Sequence, residues 1–112
     1  MINYNNKYFR PVSNTANGET TNDTIFHYLQ QDNIVMADYA GGKIVKGQLI
    51  GIADEEGKLH FRYQQVNVSG EFMTGKGRST PEILPSGKIK LHEEWQWTSG
   101  DLTSGNSVIE EV

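Results

Sequence analysis

The sequence predicts an all-β protein, a single antiparallel up-and-down meander of about eight to nine strands closing into a small barrel. Three observations carry this. Runs of β-branched and aromatic residues recur between Gly- and Pro-containing turns at roughly 8–12-residue spacing. No segment holds an apolar stripe at helical spacing for three turns, so helix is at most a short connector. The chain has 112 residues, which suits one domain spanning residues 1–112. A meander this wide in so short a chain curls and removes its own edges.

The strands follow in order. The first is Lys7 to Val12, and a polar loop from Ser13 to Asp23 follows it. The second, Thr24 to Gln31, sets Ile25, His27 and Leu29 on one face and Phe26 and Tyr28 on the other. Asp32-Asn33 turns into Ile34 to Tyr39. Gly41-Gly42 is a two-residue hairpin signal, since primed turns need positive φ at both central positions. Lys43 to Ile52 is the fourth strand, and Asp54-Glu55-Glu56-Gly57 turns into the fifth, Lys58 to Val66.

A sixth strand from about Gly70 to Thr80 contains Gly75 and Gly77, whose place inside a strand marks a bulge, a bend or a close approach. Pro81 to Leu84 reads as a short edge segment, because Pro cannot donate to a ladder. Pro85-Ser86-Gly87 leads into the clearest strand, Lys88 to Thr98. After the polar loop Ser99 to Asn106, the last strand is Ser107 to Val112. The triplets Gly42-Lys43-Ile44, Gly57-Lys58-Leu59 and Gly87-Lys88-Ile89 each open a strand after a turn, as shared hairpin chemistry requires.

Composition removes several classes of function. There is no Cys, so disulfides, thiolate metal sites and a Cys nucleophile are excluded. A net charge of -4 argues against nucleic acid as a partner. The apolar runs are far too short for a membrane-spanning helix. The amino-terminal stretch Met1-Ile2-Asn3-Tyr4-Asn5-Asn6-Lys7 is polar and has no signal-peptide core, which makes the cytoplasm the expected location. His27, His60 and His92 share no ligand spacing, so no metal site and no cofactor are expected. Arg62, His92, Glu94 and Lys90 are expected to form exposed cross-strand charge pairs.

The strand Lys88 to Thr98 carries the main functional signal. One face reads Ile89, Leu91, Glu93, Trp95, Trp97, and the other is charged and polar. Glu93 interrupts an apolar face, so it must find a partner, such as an inward Arg, or lie near water at the barrel mouth. Strand five adds Phe61, Tyr63 and Gln65 to the same interior, and Phe26, Tyr28 and Met36 are expected wall neighbours. Aromatics with a few polar groups are the makeup of a small-molecule pocket, although aromatics also simply fill small cores. A cavity of ~300 Å³ or more holding Glu93 would favour ligand binding.

Three segments together resemble a known family. They are Tyr39 to Gly51, Phe61-Arg62-Tyr63-Gln64-Gln65, and Leu91 to Asp101. The chain is similar over nearly its whole length to a family of small, largely uncharacterised bacterial single-domain proteins, many of which carry the label N-acetylglutamate synthase. The resemblance brings no catalytic residues with it. Gln48-Leu49-Ile50-Gly51-Ile52-Ala53 is a formal match to an acetyl-coenzyme A loop. Such a loop needs a helix N-terminus to receive the pyrophosphate, whereas Asp54-Glu55-Glu56 follows here and repels phosphate. The match is therefore read as accidental. In outline the predicted barrel is similar to the calycins, the lipocalin and avidin-like group.

The leading expectation is thus a metabolite-binding β-barrel. One alternative is a small enzyme with Glu93 as acid or base and Tyr63 or Arg62 as helper. Another is a homodimeric interaction module.

Overall fold

The structure is a computed structural model that describes residues 2–112; Met1, the first residue of the polar amino-terminal stretch, lies outside them. Eight strands form one closed barrel: β1 (Lys7–Asn14), β2 (Ile25–Gln31), β3 (Ile34–Gly41), β4 (Ile44–Ala53), β5 (Leu59–Asn67), β6 (Phe72–Ile83), β7 (Ile89–Trp97) and β8 (Ser104–Glu111). Each strand pairs antiparallel with the next, and β8 returns to β1 through pairs such as Phe9↔Glu111 and Pro11↔Ile109. An even number of strands is what lets an up-and-down meander close antiparallel.

Alternation places the core. Phe26 and Tyr28, Val35 and Ala37, Leu59 and Phe61, and Ile89 and Leu91 all point inward and are buried. The connections alternate between the two ends. At one end lie the β2–β3, β4–β5 and β6–β7 turns, and that end is packed solid by Tyr4, Phe9, Tyr28, Val35, Leu59, Leu91 and Ile109. Tyr4 folds beneath it, donating from its hydroxyl to Gly57 O, while its own N–H reaches Gln30 Oε1 at 2.8 Å. The long β1–β2 loop lies at the other end.

Gly75 and Gly77 serve close approach. Both face inward on β6 and sit opposite aromatics on both neighbouring strands: Gly75 faces Tyr63 and Trp97, and Gly77 faces Phe61 and Trp95. A Cβ on Gly75 would stand 2.1 Å from Cζ of Tyr63, and one on Gly77 2.5 Å from Cζ of Phe61. The rings lie over bare backbone, so large aromatics fit inside a narrow barrel.

Several expectations are corrected. Pro81 to Ile83 is no separate edge piece but the end of β6, paired with β7 through Pro81↔Leu91. Pairing of β6 to β5 stops at Leu59↔Ser79, so one side of β6 is free beyond that point, the condition under which a strand accepts Pro. The β3–β4 turn is centred on Gly42-Lys43, because a bulge between Tyr39 and Gly41 shifts the register by one. The last strand begins at Ser104. Met36 points outward and is 36% exposed, since Val35, Ala37 and Tyr39 take the inner face of β3. Of the expected charge pairs, Glu94 meets Arg78, Lys90 meets Glu110 and His92 meets Glu82. Arg62 makes no ion pair among the described residues.

Candidate ligand cavity

The half of the barrel interior toward the β1–β2 loop holds a cavity of about 50 Å³. Its walls are Phe26, Tyr39, Leu49, Phe61, Tyr63, Trp95 and Trp97, and its polar groups come from Asn14, Glu19, Thr20, Gln65, Glu93 and Ser107. The rings are tilted against one another: Tyr63 and Trp97 are 5.7 Å apart between centroids, Trp95 and Trp97 5.4 Å, and Phe61 and Tyr63 5.9 Å. Such tilted contacts suit the ring quadrupoles and leave part of each face turned to the interior.

Glu93 is buried, on the inner face of β7. Its partners are hydroxyls. Ser79 Oγ donates to Oε2 at 3.0 Å and Ser107 Oγ donates to Oε1 at 3.0 Å. These serines stand directly opposite Glu93 on β6 and β8. Neither expected arrangement holds: among the described residues no inward Arg pairs with it, and it lies within the barrel rather than at the rim. Burial pushes its carboxyl up to about 7, and the two serine bonds pull against that shift. Burial, with Glu93 and Glu19 nearby, also raises the Tyr63 hydroxyl well above its usual range, so it stays protonated.

A second polar group closes the mouth. Glu19, from the β1–β2 loop, accepts from Gln65 Nε2 at 2.7 Å and from Asn67 Nδ2 at 2.8 Å. Gln65 Oε1 in turn accepts from the Tyr39 hydroxyl at 2.8 Å. The loop is tied down further where Trp97 Nε1 donates to Asn17 O at 3.0 Å and Asn17 Nδ2 donates to Ser104 O at 2.9 Å. The free volume is far below the ~300 Å³ of a typical ligand site, and the capping residues Gly18, Glu19 and Thr20 are among those that bound it.

Of the residues expected to line a site, Phe26, Phe61, Tyr63, Gln65, Glu93, Trp95 and Trp97 come together here. Tyr28 does not line the cavity and belongs to the packed end, where its buried hydroxyl has no partner among the described residues. Met36 is on the outer surface. Arg62 is exposed on the outer face of β5, donating among the described residues only to Phe61 O at 3.3 Å, and so cannot assist Glu93. Sequence reasoning missed Ser79, Ser107, Tyr39 and Glu19. Period-two counting from Leu59 through the β5–β6 register finds the first of these, but no local signal finds Glu19.

An eight-stranded up-and-down barrel with an aromatic interior defines a calycin-like barrel. Within that class the chain belongs to the family of avidin-like proteins, which it matches over residues 2–112. No curated protein and no solved structure matches it. The N-acetylglutamate synthase label finds no support: Gln48 to Ala53 lies in β4 and is followed by a turn and β5, so no helix N-terminus stands there to hold a pyrophosphate.

Proposed function

We propose that this protein binds a small molecule in the aromatic cavity, with Glu93 on the cavity wall and the β1–β2 loop as its cover. Avidin-like barrels typically bind small ligands. The observation that carries the reading for this chain is Glu93, a buried carboxyl facing a ring-lined space with only hydroxyls as partners. Core packing alone would be served better by an apolar residue there, since burying a carboxyl is costly. The present volume fits a head group of a few atoms, and release of Glu19 from Gln65 and Asn67 would enlarge it. Tryptophan fluorescence during a metabolite screen tests this, because Trp95 and Trp97 both line the cavity. A saturable, ligand-dependent change is expected. A flat response across the screen, with unchanged response in Glu19→Ala, would defeat it.

A homodimer is the second reading, favoured by the outer face of β2, β3 and β4. Leu29, Met36 and Ile50 are cross-strand neighbours there, Ile52 extends the strip, and all four are exposed. Avidin-like proteins often form oligomers, and an uncharged apolar strip can meet a copy of itself about a two-fold axis.

A further inference from the structure

The cavity has a one-sided chemistry. Glu19 and Glu93 both line it, and among the described residues no Lys, Arg or His does. The mouth carries a further acid: Asn67 Nδ2, which holds Glu19 Oε2, also donates to Glu71 Oε1 at 3.0 Å. The positively charged partner that buried carboxylates ordinarily find in the protein itself is missing on this side.

The walls agree. Faces of Tyr and Trp attract a cation placed within about 6 Å of the ring centre, and Tyr63, Trp95 and Trp97 crowd this end of the barrel. The size agrees as well, since about 50 Å³ holds a head group of a few non-hydrogen atoms and no fused ring system.

We propose that the cavity receives the primary ammonium head of a small organic cation, with its N–H groups directed to the Glu93 carboxylate and its charge against the rings of Tyr63 and Trp97. The inference rests on the cavity being a ligand site and adds the class of ligand. Ser79 and Ser107 each use one lone pair of a carboxylate oxygen, so each oxygen keeps another for the ammonium. A quaternary ammonium brings no N–H for the Glu93 oxygens. A carboxylate or phosphate meets Glu19 and Glu93. A neutral alcohol satisfies one acceptor but brings no positive charge to Glu93.

Three probes of similar size test this at about pH 8, where Glu93 is largely ionised: butylammonium, butanol and butyrate, titrated into the whole protein by calorimetry and tryptophan fluorescence. Butylammonium is expected to bind saturably, at least about tenfold more tightly than either of the others. Glu93→Gln, which keeps the shape of the side chain, should remove that preference while leaving butanol within about twofold. Equal or tighter binding of butanol or butyrate overturns the ammonium assignment and leaves the cavity a ligand site. No response to butylammonium also overturns it; if neutral metabolites are silent too, the ligand-site reading falls with it. The wild-type series decides the question by itself should Glu93→Gln not fold.

Discussion

Ser79 donates a hydrogen bond of 3.0 Å to Glu93 from the position directly opposite it on the neighbouring strand. Ser107 does the same from the other side. The carboxyl is thus gripped by both flanking strands and shielded from water, and its proton affinity rises because ionising it there is costly.

The stability of the protein should therefore depend on pH in a defined way. Glu93 titrates near 7 in the folded barrel against an ordinary value of 4.5. Between those values the folded state holds a proton that the unfolded chain has released. The contribution is full below about pH 4.5 and is lost as pH rises through about 7, amounting to about 3 kcal/mol. Urea unfolding followed from about pH 5 to about pH 8 should show the decline. Glu93→Gln should flatten it and be the more stable protein at the alkaline end.

Replacing Gly75 by Ala should destabilise the barrel by about 1–3 kcal/mol, as overpacking does. The new Cβ would fall 2.1 Å from the Tyr63 ring. Tyr63→Ala removes that conflict, so the double variant should lose at least ~1 kcal/mol less than the sum of the two single losses. A double-mutant cycle by thermal unfolding measures the coupling.

Cutting the Glu19 tie should loosen the cover without unfolding the barrel. Glu19→Ala removes the acceptor of both Gln65 and Asn67. Amide exchange across the β1–β2 loop should quicken, while global stability falls by no more than about 1–2 kcal/mol, as for the loss of partly exposed hydrogen bonds.

If the outer strip is a dimer face, Ile50→Lys should shift the protein toward monomer in sedimentation runs at several concentrations. Ile50 is 57% exposed, so the fold itself should change by less than about 0.5 kcal/mol.

The fold was legible because strand alternation and turn chemistry recur through the whole chain. Glu93 was legible for the same reason, as one acid on a face of Ile89, Leu91, Trp95 and Trp97. Met36 was misread because Ile34-Val35-Met36 is apolar at every position, and only Ala37 and Tyr39 further along reveal which parity faces in. Pro81 looked like an edge because the unequal lengths of β5 and β6 are a matter of register, invisible in one strand. Ser79 lies in a stretch that two glycines had already disguised. Glu19 reaches Gln65 and Asn67 across more than forty positions of chain, and a contact of that kind leaves no periodic trace.

The seating of Tyr63 and Phe61 upon Gly75 and Gly77 makes interior room a shared property of adjacent strands. Bulk removed from one strand can be restored on its neighbour without moving the backbone. Exchanging such a ring-and-glycine couple for two middle-sized residues would reshape the bore while conserving its filling, so relatives with the same eight strands can be tuned to differently shaped guests by coupled substitutions.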